Sequence, residues 1–95
     1  MNKYEVMYIL TPDLEEEQVN ENIEWAKSII ESNNGKVEEL KKWDRRRLAY
    51  EIDDYQEGQY MLGYFYGEIQ TTSELERSFK LKDQVLRYMI IRVDE

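Results

Sequence analysis

The sequence predicts an α+β fold whose strands and helices follow the order βαββαβ. Four segments are rich in β-branched and aromatic residues or alternate apolar with polar side chains, which is typical of strands. Two further segments repeat apolar residues at steps of three and four, as amphipathic helices do. With 95 residues and no internal repeat or linker, the chain fits one domain covering residues 1–95.

The opening third predicts a strand followed by a helix. Residues 4–10 form the strand, which stops before Pro12. Pro12 and the glutamates at 15–17 predict a helix N-terminus, because proline is tolerated in the first turn and acids oppose the positive end of the helix dipole. The apolar stripe of this helix consists of Val19, Ile23, Ala26 and Ile30. Gly35 follows two asparagines and ends the helix.

The remaining elements are three strands and a shorter helix. Residues 36–52 predict a long strand whose alternation fails between Val37 and Leu40 and again near Asp44, where a bulge is expected. Residues 53–58 predict a turn, and residues 60–66 predict the third strand. The second helix is predicted to open at Thr71-Thr72-Ser73 with capping-box residues and to bury Leu75 and Phe79. Residues 85–93 form the last strand.

This order predicts a ferredoxin-like arrangement. Right-handed crossovers place both helices on one face of a four-stranded antiparallel sheet. The first and third strands are then central, and the second and fourth lie at the edges.

The sheet face opposite the helices is predicted to be apolar. It would carry Met7, Ile9, Met61, Phe65, Met89 and Ile91. An open antiparallel sheet normally presents a polar face to water, so an apolar face indicates a binding partner. Sheets that stack bases offer aromatic residues on their central strands, and Phe65 alone meets that condition here, which favours a protein partner. Most of the tyrosines are assigned to the core, with Tyr4 and Tyr88 as candidates for exposure.

Composition excludes several classes of function. The chain has no cysteine and no histidine, which removes disulfides, thiolate chemistry and the usual proton shuttle at neutral pH. The glycines have neither phosphate-loop nor dinucleotide spacing, and consecutive glutamates on a helix diverge too far to share a metal ion. We therefore expect no enzyme activity, metal, cofactor or small-molecule substrate. The absence of a membrane span and of a signal peptide favours the cytoplasm.

Positive charge is concentrated in two segments of an acidic chain. The net charge is −8, but residues 36–47 contain six basic residues against three acids, and the last strand adds further cations. Arg45, Arg46 and Arg47 are consecutive in a strand, so their guanidinium groups point to both faces and can reach both a phosphate and a carboxylate. The same charges could equally protect a sheet edge from pairing with other chains. Both interpretations stay open.

Several motifs, in order along the whole chain, resemble the bacterial small-subunit ribosomal protein S6 family. They are Tyr4-Glu5-Val6-Met7-Tyr8-Ile9 with Pro12, Arg46-Arg47-Leu48-Ala49-Tyr50-Glu51-Ile52, Glu57-Gly58 with Tyr60, and Asp83 with Leu86-Arg87-Tyr88 and Ile90-Ile91-Arg92. The resemblance implies a structural component of the small ribosomal subunit, located on ribosomes in the cytoplasm. It implies binding to the central domain of small-subunit ribosomal RNA together with ribosomal protein S18.

The resemblance and the charge pattern together assign two sets of site residues. The RNA-binding set is Lys3, Tyr4, Arg45, Arg87 and Arg92. The set for the partner protein is Lys42, Arg46 and Arg47 on the second strand, with Met7, Ile9, Met61, Phe65, Met89 and Ile91 on the open face. Lys3 stands where the family has a basic pair, and the other position here is Asn2.

Two other functions share the predicted topology. A small-molecule-sensing regulatory module would form a homodimer through the apolar sheet face. An enzyme of the acylphosphatase type would need an arginine in a phosphate-binding loop after the first strand. Thr11-Pro12-Asp13 stands there instead, so the enzyme is strongly disfavoured.

Overall fold

A computed structural model describes residues 1–93 and has the predicted order of elements. The strands are β1 (Asn2–Leu10), β2 (Lys36–Ile52), β3 (Tyr55–Gly67) and β4 (Val85–Arg92), and the helices are α1 (Glu16–Ser32) and α2 (Ile69–Leu81). The strands form one antiparallel sheet in the order β2-β3-β1-β4, which confirms the ferredoxin-like prediction and its central and edge strands. The last two residues of the predicted domain, 94 and 95, lie outside the described residues. None of the helices in the described part combines the length and apolarity needed to cross a membrane.

Both helices begin at residues other than those predicted. Pro12 lies in the turn after β1, and α1 begins at Glu16, where the Glu15 N–H donates to Gln18 Oε1 at 2.8 Å. α2 begins two residues before Thr71, whose Oγ1 accepts from the Glu68 N–H at 3.0 Å. Thr71 is therefore the third residue of the helix and pairs with the N-cap residue Glu68 in a capping box. Its hydroxyl also donates to the Asn33 carbonyl at 2.6 Å and so ties the ends of the two helices together.

β2 and β3 form a longer hairpin than the sequence predicts. Their register shifts between Val37 and Glu39 and between Lys42 and Asp44, which confirms the predicted irregularities. The predicted turn at 53–58 is shorter in the structure, because Asp53 and Asp54 take φ of 50° and 71° and make a tight turn. Residues 44–59, which we call the arm, form the turn end of the β2–β3 hairpin and contribute with β4 to a separate small cluster of buried side chains. That cluster consists of Leu48, Ile52 and Leu86.

The face assignment predicted for β3 is wrong. Tyr8 is opposite Met61 and Tyr4 is opposite Phe65, and residues directly opposite on antiparallel strands share a face. Met61 and Phe65 are both 0% exposed beneath the helices, so neither lies on the open side. The side of the sheet opposite the helices, which we call the helix-free face, instead carries Tyr60, Leu62, Tyr64 and Tyr66 from β3.

Glycine decides this face assignment. β3 is apolar on both faces, so the alternation of its residues does not show which face points to the helices. A Cβ on Gly63 would lie 2.6 Å from Leu40 Cδ1 and 2.7 Å from the Glu39 carbonyl oxygen, and a Cβ on Gly67 would lie 2.8 Å from Thr71 Cβ. The two glycines must therefore face the helices, and Met61 and Phe65 face the same way.

Tyr4 is also buried, contrary to the prediction of exposure. It is 8% exposed, and its ring stacks on Phe65 with centroids 5.4 Å apart. Tyr88 is half-buried, with its ring centroid 5.6 Å from that of Phe79. Tyr4 and Tyr88 thus pack in or beside the core, as the other β1 tyrosine, Tyr8, does.

Tyr8 makes a buried polar contact in this core. Its hydroxyl donates to Asn22 Oδ1 at 2.8 Å, which links the centre of the sheet to α1. Burial raises the pKa of the Tyr8 hydroxyl well above its ordinary value. Ionisation of this tyrosine is therefore coupled to unfolding.

The observed register predicts that truncations at two positions of β3 destabilise the protein to different extents. Phe65→Ala leaves a cavity in the main core and should lower the free energy of unfolding by about 3–5 kcal/mol. Leu62→Ala, on the helix-free face, should cost about 1 kcal/mol. Urea unfolding of both variants measures the difference. A larger loss for Leu62→Ala would show that the faces are reversed.

Burial of Tyr8 also predicts alkaline destabilisation. A raised folded-state pKa stabilises the protein fully below the ordinary tyrosine pKa of about 10, and that contribution falls as the pH rises above it. Between pH 8 and pH 11 the wild type should lose about 1.4 kcal/mol more unfolding free energy than Tyr8→Phe, which has no hydroxyl to ionise. Urea unfolding at the two pH values measures this, and equal losses would contradict it.

Candidate functional site

Arg45, in the predicted RNA-binding set, is engaged within the protein. Its guanidinium donates to the Pro12 carbonyl, and Nε lies 3.5 Å from Glu57 Oε1. Nearby, the Tyr55 hydroxyl donates to Asp13 Oδ2 at 3.5 Å, and the negative charge of Asp13 raises the pKa of that hydroxyl. These contacts hold the arm against the loop between β1 and α1.

Arg46 forms an exposed cluster with two aromatic residues. Its guanidinium carbon lies 4.4 Å from the ring centroid of Trp43 and 5.7 Å from that of Tyr60, and Nε lies 3.0 Å from Asp44 Oδ2. The two rings meet edge to face at 6.2 Å. Trp43 is 44% exposed, although tryptophan is usually largely buried. Trp43 is absent from the predicted site residues, because its only signal in the sequence is its position next to the predicted bulge.

Arg47 and Lys42 complete the basic residues predicted to bind a partner protein. Within residues 1–93, Arg47 has no ion pair, and it is exposed on the arm. Lys42 Nζ lies 4.0 Å from Glu16 Oε1, at the start of α1. The arginine run therefore serves three different purposes, since Arg45 braces the arm, Arg46 stacks on aromatic rings and Arg47 stays open to solvent.

The other predicted RNA contacts lie at two separate places on the sheet. Lys3 is 3.2 Å from Glu38 and lies above the rings of Tyr64 and Tyr66, at 5.4 and 5.7 Å from their centroids. Its hydrogen bond with Glu38 raises the pKa of the ammonium group. Arg92 pairs with Tyr4 in the register, at this same end of β1.

Arg87 lies at the opposite end of β1, where it pairs with Ile9. Ile9 lies six positions along the strand from Lys3, which corresponds to about 20 Å. Arg87 uses Nη1 to donate to its neighbouring Leu86 carbonyl at 2.8 Å. The structure therefore does not gather the predicted RNA-binding residues into one patch, and the Tyr4 ring is enclosed between Phe65 and the helices.

The helix-free face keeps four of the six predicted apolar residues. Met7 pairs with Met89, and Ile91 pairs with Glu5, so the side chains from β4 lie beside those of β1. Met89 is 49% exposed and Ile91 is 42% exposed. Between these strands and Tyr60 lies a shallow groove of about 150 Å³, which we call the β1 groove. It is lined by Met7, Ile9, Tyr60, Arg87, Tyr88 and Met89.

Acidic side chains cover the outer face of α1. Glu16, Glu17, Glu21 and Glu24 lie along one exposed side of this helix. Within residues 1–93 no group of three or more acidic side chains converges in a way that could hold a metal ion. The outer face of α1 is therefore strongly acidic, whereas the arm carries the three consecutive arginines together with five acids.

The contacts of Arg45 predict that its loss loosens the arm. Arg45→Ala removes both links to the β1–α1 loop and to Glu57, and because the ion pair is half-exposed the cost should be no more than about 1 kcal/mol. That cost corresponds to roughly fivefold faster amide hydrogen exchange in the arm and in residues 11–14. Arg47→Ala, which removes an arginine without these contacts, is the matched control. Equal exchange in the two variants would contradict the bracing role.

Comparisons with known proteins give one consistent family. The family model for ribosomal protein S6 matches residues 3–92. The small ribosomal subunit protein bS6 of Natranaerobius thermophilus is 56% identical over 100% of this chain and 99% of its own length. The bS6 protein of Clostridium acetobutylicum is 44% identical over 100% of both chains.

A solved structure agrees with the sequence comparisons. The crystal structure of 30S ribosomal protein S6 from Thermotoga maritima superposes with a TM-score of 0.89 at 32% identity, covering 97% of this chain and 87% of that one. Sequence and fold thus agree along nearly the entire chain. The chain belongs to the ribosomal protein S6 family of the small ribosomal subunit.

Proposed function

We propose that this chain is a structural, non-catalytic subunit that binds the central domain of small-subunit ribosomal RNA together with ribosomal protein S18. The observation that carries the proposal is the cluster of exposed Trp43 and Arg46 with half-buried Tyr60 at the β2 edge of the sheet, where Arg47 is exposed and has no ion pair within residues 1–93. Tryptophan, tyrosine and arginine are the residue types that dominate binding energy in protein interfaces.

The S18 contact is assigned to the β2 edge and the neighbouring helix-free face. Arg46 and Trp43 would form its centre, with Arg47 on the arm and Lys42 at the margin near α1. β2 is an edge strand, so its outer backbone groups are available for a partner. Ile91 adds exposed apolar area at the β4 edge of the same sheet.

The RNA contact is assigned to Lys3 and Arg92 at one end of β1 and Arg87 at the other. Lys3 and Arg87 lie on the helix-free face, whereas Arg92 pairs with Tyr4 and lies on the helix side, at the β4 edge. Tyr4 supports this site by packing beneath the sheet, because its ring has no exposed face to offer a base. Arg45 acts through the shape of the arm.

The charge distribution explains why a second protein is needed. The chain has a net charge of −8, and at least seven of its 13 lysines and arginines form ion pairs within residues 1–93. Affinity for RNA depends on the number of phosphates neutralised, so the isolated protein should bind weakly and with a shallow dependence on salt. A partner that binds at the β2 edge would supply the missing phosphate contacts.

Replacing both Arg46 and Arg47 by alanine should weaken the ternary complex. The double variant removes the stacked guanidinium from Trp43 and the free guanidinium from the arm, and we expect about a tenfold or greater loss of affinity. Filter binding of a central-domain RNA fragment in the presence of S18 measures this loss. Circular dichroism checks that the domain stays folded.

Arg77→Ala is the matched control for the double variant. Arg77 is an exposed arginine on α2 whose Nε lies 3.1 Å from Glu74 Oε2, on the helix side of the molecule. Its loss should leave the ternary affinity unchanged. Unchanged affinity in the folded double variant would refute the assignment of the β2 edge.

A further inference from the structure

The β1 groove combines an apolar floor with one aromatic and one cationic wall. Met7 and Ile9 from β1 and Met89 from β4 form the floor, and Tyr60 from β3 stands on one side. Arg87 stands on the other side, because it pairs with Ile9 and shares its face. The groove is thus a shallow slot between a π-system and a guanidinium group.

Tyr60 is held in place from behind. The Arg46 guanidinium carbon lies 5.7 Å from its ring centroid, and the Trp43 ring meets it edge to face. A ring fixed by two neighbours loses little conformational entropy when a ligand packs on it. Within residues 1–93, Arg87 uses Nη1 for its hydrogen bond to the Leu86 carbonyl, which leaves its other donors available for an acceptor.

We propose that the β1 groove takes one unpaired base of single-stranded RNA, with the base against Tyr60 and an adjoining phosphate at Arg87. Unstacked bases bind proteins by packing on aromatic rings and guanidinium planes, and both are present here. This inference rests on the proposed RNA-binding function and names the kind of nucleotide that this part of the surface binds.

Charge complementarity favours RNA over a basic protein segment in this groove. Arg87 lines the groove and Arg46 lies behind Tyr60, so a lysine- or arginine-rich segment would meet like charge there. A nucleotide brings both the flat apolar ring that the floor accepts and the anion that Arg87 needs. Under this assignment Met7, Ile9 and Met89, which were predicted to bind the partner protein, contact RNA instead.

The methionine methyl groups provide a direct test. Methyl NMR spectra of the full chain, labelled at methionine, are recorded with single-stranded hexauridylate and hexaadenylate and with an abasic ribose-phosphate hexamer. The Met7 and Met89 signals should shift with the base-containing oligomers and not with the abasic one. Met61, buried on the other side of the sheet, should stay unshifted and acts as an internal control.

Two substitutions of Tyr60 separate stacking from general folding effects. Tyr60→Leu keeps the site apolar but removes the ring, and should weaken hexanucleotide binding about tenfold, whereas Tyr60→Phe should bind like the wild type. Equal shifts with the abasic oligomer would overturn the base site and leave only a phosphate contact. Shifts of Met7 and Met89 produced by S18 alone, which then block the oligonucleotide, would overturn it and assign the groove to the protein partner.

Failure of this inference is distinguishable from failure of the proposed function. The base site alone would be contradicted if the protein enters the ternary complex with S18 and central-domain RNA but its Met7 and Met89 signals do not shift with oligonucleotides. A protein that does not enter the ternary complex would contradict the proposed function itself.

Discussion

The register of β3 against β1 is the constraint on which the rest of the structure depends. Gly63 and Gly67 must face the helices because Leu40 and Thr71 occupy the space that a side chain would need. That requirement places Phe65 beside Tyr4 and Met61 beside Tyr8 on the helix side of the sheet, and it completes the main core. A slip of one residue would exchange every side chain of the strand between core and surface.

The same register creates the face on which the proposed contacts lie. With Met61 and Phe65 buried, β3 presents Tyr60, Tyr64 and Tyr66 on its helix-free side, close to cations from β1, β2 and β4. The predicted apolar face, which favoured a protein partner, is thereby replaced by a face that also carries aromatic rings. Aromatic rings stacked with lysine and arginine suit both a protein hot spot and nucleic-acid bases.

Family membership confirms the predicted location of the protein, which is the ribosome in the bacterial cytoplasm. The net charge of −8 alone would argue against an RNA partner. The acids on α1 would repel phosphates from the outer face of that helix, while Arg46 on the arm and Arg87 on β4 lie toward the helix-free face.

The sequence by itself determined the element order, the ferredoxin-like topology, the bulge near Asp44 and the family, because these follow from local periodicity and from motifs spread along the chain. It could not determine which side chains of β3 face the core, because both faces of this strand are apolar and alternation carries no information. It also could not separate the roles of Arg45, Arg46 and Arg47, since each depends on a distant partner: Glu57 and Pro12 for Arg45, Trp43 and Tyr60 for Arg46. Only the tertiary structure decided these points, because steric fit at two glycines and long-range side-chain contacts leave no local pattern in the chain.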